Sequence, residues 1–201
     1  MRYHMDRKDF IKVAGAAGAA ASLPTFFAGE EAFAAARRHG HGARTYTFMS
    51  FSKAPATHRI AQPTIVMRGC GNFDEKARTV DGGGSHFLTD TAAPVPQPLI
   101  LSGRWSAGAF GGYDTKGLPP YGTVQPAILE IRADVEGIGQ NLRMEIICNV
   151  GGAGLSTGEE EGWKLFGTPY GDFVPFVPPI GLSHLSPPGF SIPAKREDVS
   201  H

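Results

Sequence analysis

The chain of 201 residues carries 19 Lys and Arg against 19 Asp and Glu, so its formal net charge at pH 7 is +0. No basic stripe stands out beyond the first residues, which argues against a nucleic-acid partner because such partners require concentrated positive charge. The 27 glycines and 16 prolines exceed average usage and are typical of a chain with many turns and short strands.

The first 36 residues have the order of a cleavable export signal. A charged stretch that contains Arg7, Lys8 and Lys12 precedes a mildly apolar run at 13–23, and small-residue triplets at 32–36 offer cleavage sites. The apolar run is shorter than the roughly 20 residues needed to cross a bilayer. We therefore expect a leader that is removed, and a mature protein in the periplasm or outside the cell that has no membrane span.

The charged stretch also indicates an export route. Arg7, Lys8, Phe10, Ile11 and Lys12 together resemble a twin-arginine export signal, with Lys8 standing where the second arginine of that pattern belongs. The resemblance implies contact with the export machinery and folding before export. It leaves the cofactor unknown, since exported proteins of this type include some with a cofactor and many without.

The rest of the chain divides into an arm, one domain and a tail. Residues 37–43 are basic and rich in His and Gly, and we expect a flexible arm. Residues 44–193 hold the recurring apolar and β-branched segments of a single domain, while the charged residues 194–201 form a frayed tail.

Segments rich in β-branched and aromatic residues predict short strands along the domain. They lie at 46–52, 64–68, 85–89, 99–110 and 163–166. The glycine run at 81–84 predicts a turn or bulge ahead of the third segment. At 168–193, prolines and aromatics recur without a period, which predicts an extended wrap over the surface.

The clearest periodicity lies at 128–135 and 142–150. Apolar residues such as Leu129 and Ile131 alternate there with charged residues such as Glu130, and period two indicates half-buried antiparallel strands. Residues 137–141 predict the hairpin loop between them. With no helical period after the leader, we expect an all-β fold: an antiparallel β-sandwich or small β-barrel with long Gly/Pro-rich loops.

Two cysteines lie in the domain, Cys70 and Cys148. An even count in an exported protein permits one structural disulfide between them. The alternative is a pair of buried thiols, because free cysteine is among the most buried residue types.

His86 is the candidate for acid–base chemistry, because the ordinary pKa of imidazole lies near neutrality. Asp81 and Asp90 flank it in sequence and are the candidates to orient it. The alternative is an ordinary strand histidine. A Gly-x-Ser-x-Gly motif centred on Ser156 lacks the strand-to-helix turn that gives this motif its chemistry, so we expect a plain loop.

The arm holds the candidate metal ligands, His39 and His41. If cleavage follows Ala36, the mature chain begins Arg-Arg-His, and a free amine with His39 in third place can hold Cu(II) or Ni(II) in a square plane. The alternative is a solvated basic arm.

A polar, aromatic stretch within 104–121 is the candidate ligand-binding region. Ring faces stack on sugars and other small molecules while neighbouring polar groups orient them. The residues are Arg104, Trp105, Tyr113, Asp114 and Tyr121. The alternative places Trp105 in the core with the tyrosines capping it.

These features give three hypotheses of function. The first is an exported β-domain that binds a small molecule, such as a carbohydrate, or a partner surface. The second is a small exported enzyme, a cofactor-independent isomerase, cyclase or hydrolase that uses His86 with Asp81 or Asp90. The third is a copper or nickel carrier that uses the amino-terminal arm.

Overall fold

The computed structural model describes residues 43–188. The predicted export signal, His39, His41 and the final tail lie outside these residues. The strands are β1 (Arg44–Lys53), β2 (Pro63–Asp74), β3 (Thr79–Asp90), β4 (Leu99–Asp114), β5 (Ala127–Val135), β6 (Gly139–Cys148), β7 (Gly162–Thr168), β8 (Gly171–Pro175) and β9 (Gly181–Leu185). Within 43–188 there is no α-helix, and therefore no helix that could cross a membrane.

The strands form one antiparallel sheet that closes on itself. Each strand from β1 to β7 pairs with the next, and β8 also pairs with β1, which completes an eight-stranded barrel. The extra strand β9 pairs with β1. The all-β antiparallel prediction is confirmed, and of the two architectures expected, the barrel is the one formed.

Two short strands share the side of β1 that faces away from β2. β8 pairs with Ser52 and Lys53, whereas β9 pairs with the stretch from Tyr46 to Ser50. β8 and β9 therefore follow one another along β1, and the predicted extended wrap contains these two strands. We call the end of the barrel where β1 begins the Arg44 end, and the end where β1 finishes the Lys53 end.

The core fills the inside of the barrel. Along β5, Leu129, Ile131, Ala133 and Val135 are buried, and they alternate with charged residues as the sequence predicts. Trp163, Tyr46, Phe73 and Phe173 are the largest fully buried side chains. Aromatic rings therefore occupy much of the interior, although a few polar side chains, His86 among them, are also buried there.

The glycine run at 82–84 lies within β3, so the predicted turn or bulge is wrong. The ring of Tyr46 lies against Gly71 and Gly82, and the ring of Trp105 lies against Gly69 on β2. A side chain at these positions would collide with the rings. The glycines therefore let two large aromatic side chains lie flat on the inner face of the sheet.

The possible disulfide is not formed, and both cysteines are free. Cys148 is fully buried in the core, as its place in the alternation predicts. Cys70 alternates with the core residues Met67 and Phe73 on β2 and so faces the outside of the barrel. The two thiols lie on opposite faces of the sheet, which explains why they do not join.

Candidate functional site

The structure does not bring His86, Asp81 and Asp90 together. His86 is fully buried inside the barrel, whereas Asp81 lies five residues away on the opposite face, a separation of roughly 17 Å along a strand. Asp81 accepts hydrogen bonds from the backbone and side chain of Asn72. The carboxylate of Asp90 accepts the backbone N–H groups of residues 61, 62 and 92 at the Lys53 end.

A different carboxylate, that of Glu136, faces His86. The imidazole Cε1 of His86 and Oε2 of Glu136 each lie 3.0 Å from the point where a Cβ on Gly103 would stand. Burial lowers the pKa of His86, and the carbonyl and carboxylate of Glu136 oppose that change. Neither ring nitrogen has a hydrogen-bond partner within residues 43–188. Nothing in the sequence pattern pointed to Glu136, because its contact with His86 passes over Gly103 on a third strand.

The Gly-x-Ser-x-Gly motif lies in the loop between β6 and β7, as expected. Ser156 is exposed there. Asp172 and His184 follow Ser156 in the Ser, Asp, His order of a hydrolase triad. However, Asp172 on β8 accepts the backbone N–H of Gly167, and the ring of His184 on β9 hydrogen-bonds the carbonyl of Thr123 at 2.9 Å. These side chains have separate structural partners.

The predicted ligand residues fall into two groups. Trp105 is buried, packs on Phe48 with ring centres 5.5 Å apart and donates its indole N–H to the carbonyl of Arg68 at 2.9 Å. Arg104 is exposed on the outer wall. The remaining three belong to the Arg44 end: Tyr113 and Asp114 finish β4, and Tyr121 lies in the loop that follows. Trp105 therefore packs in the core, which is the alternative interpretation given above for that residue.

An arginine stacked on aromatic rings marks the Arg44 end. The guanidinium of Arg44 lies 4.4 Å from the ring centre of Tyr113 and 5.9 Å from that of Phe73. It also pairs with Glu75 at 3.2 Å. The ring of Phe73 lies 5.0 Å from that of Tyr113 and 6.4 Å from that of Phe110. We call these five residues the Arg44–Tyr113 cluster.

Two polar atoms of this cluster are buried without a hydrogen-bond partner in the described part of the chain. They are Nη1 of Arg44 and the hydroxyl of Tyr113. Desolvation raises the pKa of Tyr113 to about 12, although the charge of Arg44 and the approach of its guanidinium to the Tyr113 hydroxyl act against the rise. A cavity of about 80 Å³ adjoins the cluster and is lined by Phe73, by Ala43 and by residues at the β2–β3 hairpin. Buried polar groups usually have partners, so these two are the atoms that a ligand would engage.

No known protein family, curated protein or solved structure matches this chain. Residues 43–188 contain no group of three or more His, Cys, Asp or Glu side chains that could hold a metal ion. His39 and His41 lie outside those residues, and the metal-carrier hypothesis stays a prediction.

The sequence did not predict that Arg44 and Glu75 belong to a candidate site. Arg44 begins β1 and is the Cα partner of Phe73, and Glu75 follows the end of β2. Tyr113 reaches them from β4 because the barrel is closed. An arginine at the start of the first strand carries no local signal of this role, since it acquires the role only through pairing over long sequence distances.

A half-buried carboxylate, that of Glu161, lies on the side of the barrel next to β9. Glu161 accepts the backbone N–H of Asn149, after β6, and that of Ser183 on β9. The thiol of Cys148 donates to the Ser183 carbonyl, and the Ser183 hydroxyl donates to the carbonyl of Gly162. Desolvation raises the pKa of Glu161 to about 7, although the two N–H donors act against the rise. These side-chain hydrogen bonds hold β9 against the barrel, as backbone hydrogen bonds between paired strands do elsewhere.

Proposed function

We propose that this protein is an exported binding module that holds a small hydroxylated ligand, such as a sugar, at the Arg44 end of the barrel. The observation that carries the proposal is the pair of buried polar atoms without partners, among residues 43–188, in the Arg44–Tyr113 cluster. Leaving buried donors unpaired costs free energy, and a ligand oxygen that accepts from them recovers it.

The chemistry of the cluster suits a sugar. The Arg44 guanidinium donates only, the Tyr113 hydroxyl donates or accepts, and the Glu75 carboxylate accepts, which matches the mixed character of sugar hydroxyls. The ring of Tyr121 is 57% exposed at the same end of the barrel and offers an apolar face for stacking. Since side chains fill the interior, we assign the ligand to this mouth.

An enzyme is the second candidate, and the contact between His86 and Glu136 is the observation that favours it. A buried imidazole near a carboxylate is the pairing that acid–base catalysis uses. The proposed partners of His86 change accordingly from Asp81 and Asp90 to Glu136. We rank this candidate below the binding module because core residues surround His86, whereas the Arg44–Tyr113 cluster lies at a mouth of the barrel beside a cavity.

Replacing Tyr113 by phenylalanine tests the ligand site. In thermal-shift titrations with a panel of mono- and disaccharides, we expect a sugar that raises the Tm of the wild-type protein, because a ligand that binds only the folded state stabilises it. Tyr113→Phe should weaken the binding of that sugar about tenfold, because one hydrogen bond is lost. The Tm without ligand should not fall, since the hydroxyl has no partner among residues 43–188.

Tyr170→Phe is the matched control, because Tyr170 packs against Phe173 near the Lys53 end. It should bind the sugar as the wild type does. If no sugar of the panel shifts the Tm, or if Tyr113→Phe binds as tightly as wild type, the proposed site is refuted.

Export belongs to the same proposal and has its own test. When the full chain is expressed in a bacterium, we expect mass spectrometry to find the mature amino terminus between residues 33 and 37 in the periplasm or medium. Replacing both Arg7 and Lys8 by glutamine should retain the precursor inside the cell. Full-length protein that keeps Met1 and stays in the cytosol would contradict the export proposal. That result would not bear on the proposed ligand site.

A further inference from the structure

The two edges of β9 are attached to the barrel in different ways. One edge forms a backbone ladder with β1, from Tyr46 to Ser50. The other edge faces β6, β7 and the loop before β5, and it has no ladder with any strand of residues 43–188. Among the strands of this described range, β9 alone pairs with a single neighbour.

Hydrogen bonds that mostly involve side chains hold the second edge of β9. The N–H of Ser183 donates to the carboxylate of Glu161 at 2.7 Å, and its hydroxyl donates to the carbonyl of Gly162 at 3.1 Å. The Ser183 carbonyl accepts from the thiol of Cys148 at 3.4 Å. Two more hydrogen bonds join β9 to the loop before β5. Each such bond contributes little net free energy, because water replaces it when the edge is exposed.

β9 also contributes little to the apolar core. Of its five residues only Leu185 belongs to the core, and Leu182 is 77% exposed. By contrast, every second residue of β5 is apolar and buried. Elements with few buried apolar contacts open locally at the lowest cost in free energy. Detachment of β9 is therefore far less costly than detachment of a strand such as β5.

The barrel stays closed without β9. β8 pairs with Ser52 and Lys53 of β1, so the ring from β1 to β8 does not depend on the ninth strand. β9 lies instead over the inner face of the barrel at Cys148, whose thiol is fully buried and contacts the backbone of Ser183. When β9 leaves, this thiol faces solvent.

We propose that β9 is a hatch in the barrel wall: it detaches while β1 to β8 stay folded and admits small molecules to the interior at Cys148. The hydrogen bonds of Ser183 keep the hatch closed, because they join β9 to Glu161, to β7 and to β6. This route passes through the wall and is separate from the two ends of the barrel. The inference stands on the attachment of β9, so it does not rest on the proposed ligand.

The reactivity of Cys148 toward the thiol reagent DTNB tests the hatch. Cys70→Ser leaves Cys148 as the only cysteine of the full chain. In native buffer we expect Cys148 to react at least about 100-fold faster than the unfolded fraction from urea titrations allows, because β9 opens more often than the barrel unfolds. At low urea the rate should hardly change with urea, since a detached five-residue strand exposes little surface.

Two serine variants in the Cys70→Ser background separate the hatch from the barrel. Ser183→Ala should increase the rate about tenfold, because the closed state loses a hydrogen bond that the open state never had. Ser52→Ala is the matched control: its hydroxyl donates to the carbonyl of Trp163, but it joins β1 to β7, and both stay in place. This variant should lower the free energy of unfolding and leave the rate in native buffer unchanged.

Three results would overturn the proposal. The first is a rate that follows global unfolding at every urea concentration, which the Cys70→Ser protein shows without any change in β9. The second is a thiol that does not react in native buffer at all. The third is a rate that Ser183→Ala does not raise, or that Ser52→Ala raises equally.

Discussion

Replacing Gly71 by alanine is expected to destabilise the barrel by about 3 kcal/mol or more, the upper range for overpacking a filled core. A Cβ at this position would stand 2.6 Å from the hydroxyl oxygen of Tyr46 and 2.7 Å from its ring, and closer still to the carbonyl oxygen of Asp81. The Tyr46 ring is buried and its hydroxyl donates to that same carbonyl, so neither neighbour can move without cost. Urea unfolding followed by fluorescence measures the loss.

Gly112 provides the control for this prediction. It lies in β4, a Cβ added to it would meet no heavy atom within 4 Å, and it does not adopt the left-handed backbone that favours glycine. Gly112→Ala should change the free energy of unfolding by less than about 0.5 kcal/mol, as surface substitutions usually do. Equal effects of the two substitutions would show that the Tyr46 ring does not lie against Gly71.

The second large effect concerns pH. The pKa of Glu161 is raised to about 7 in the folded protein, above its ordinary value of 4.5, because burial disfavours the charged carboxylate. The folded state therefore holds this proton more tightly than the unfolded state. The stabilisation is present in full below pH 4.5 and is lost as the pH rises through about 7. It amounts to at most about 3 kcal/mol, reduced by the screening of a partly exposed group.

Glu161→Gln isolates this contribution, because the amide does not titrate while other groups titrate equally in both proteins. We expect the free energy of unfolding of the wild type, taken relative to Glu161→Gln, to fall between pH 4.5 and pH 7 and then level off. Chemical denaturation at several pH values measures this difference. A difference that is constant or rises with pH would mean that the two N–H donors from Asn149 and Ser183 outweigh the cost of burial.

Strand periodicity predicted β5 and β6 well. In both, core residues alternate with polar ones over most of the strand, and a segment with that alternation can bury its apolar side in only one way. The same alternation placed Cys148 in the core. The prediction failed at residues 82–84, where glycine signals a turn by its local preference but here lies within a strand, with Gly82 making room for the side chain of Tyr46.

The structure places some of the predicted ligand-binding residues near one another, and whether they bind a ligand stays a prediction. Tyr113, Asp114 and Tyr121 were selected as polar and aromatic residues near turns, and they do share one end of the barrel. Arg44 and Glu136 were missed because each approaches its partner from a distant part of the chain.

The two aspartates were chosen because they are near His86 in sequence, and nearness in sequence is a poor guide along a strand. Asp81 is five residues away, and an odd number of residues reverses the face. Asp90 is four residues away, and four residues already span roughly 13 Å of strand. Neither carboxylate can therefore reach the imidazole.

The sequence by itself determined that the domain is built of antiparallel strands with one apolar side, because a period of two is a local property that each segment carries alone. Only the tertiary structure decided that the sheet closes as a barrel, that Cys70 and Cys148 lie on opposite faces, and that Arg44 stacks on Tyr113. Those outcomes depend on which distant strands pair and in what register. That choice is made by the packing of all the rings inside the barrel at once, and no single segment encodes it.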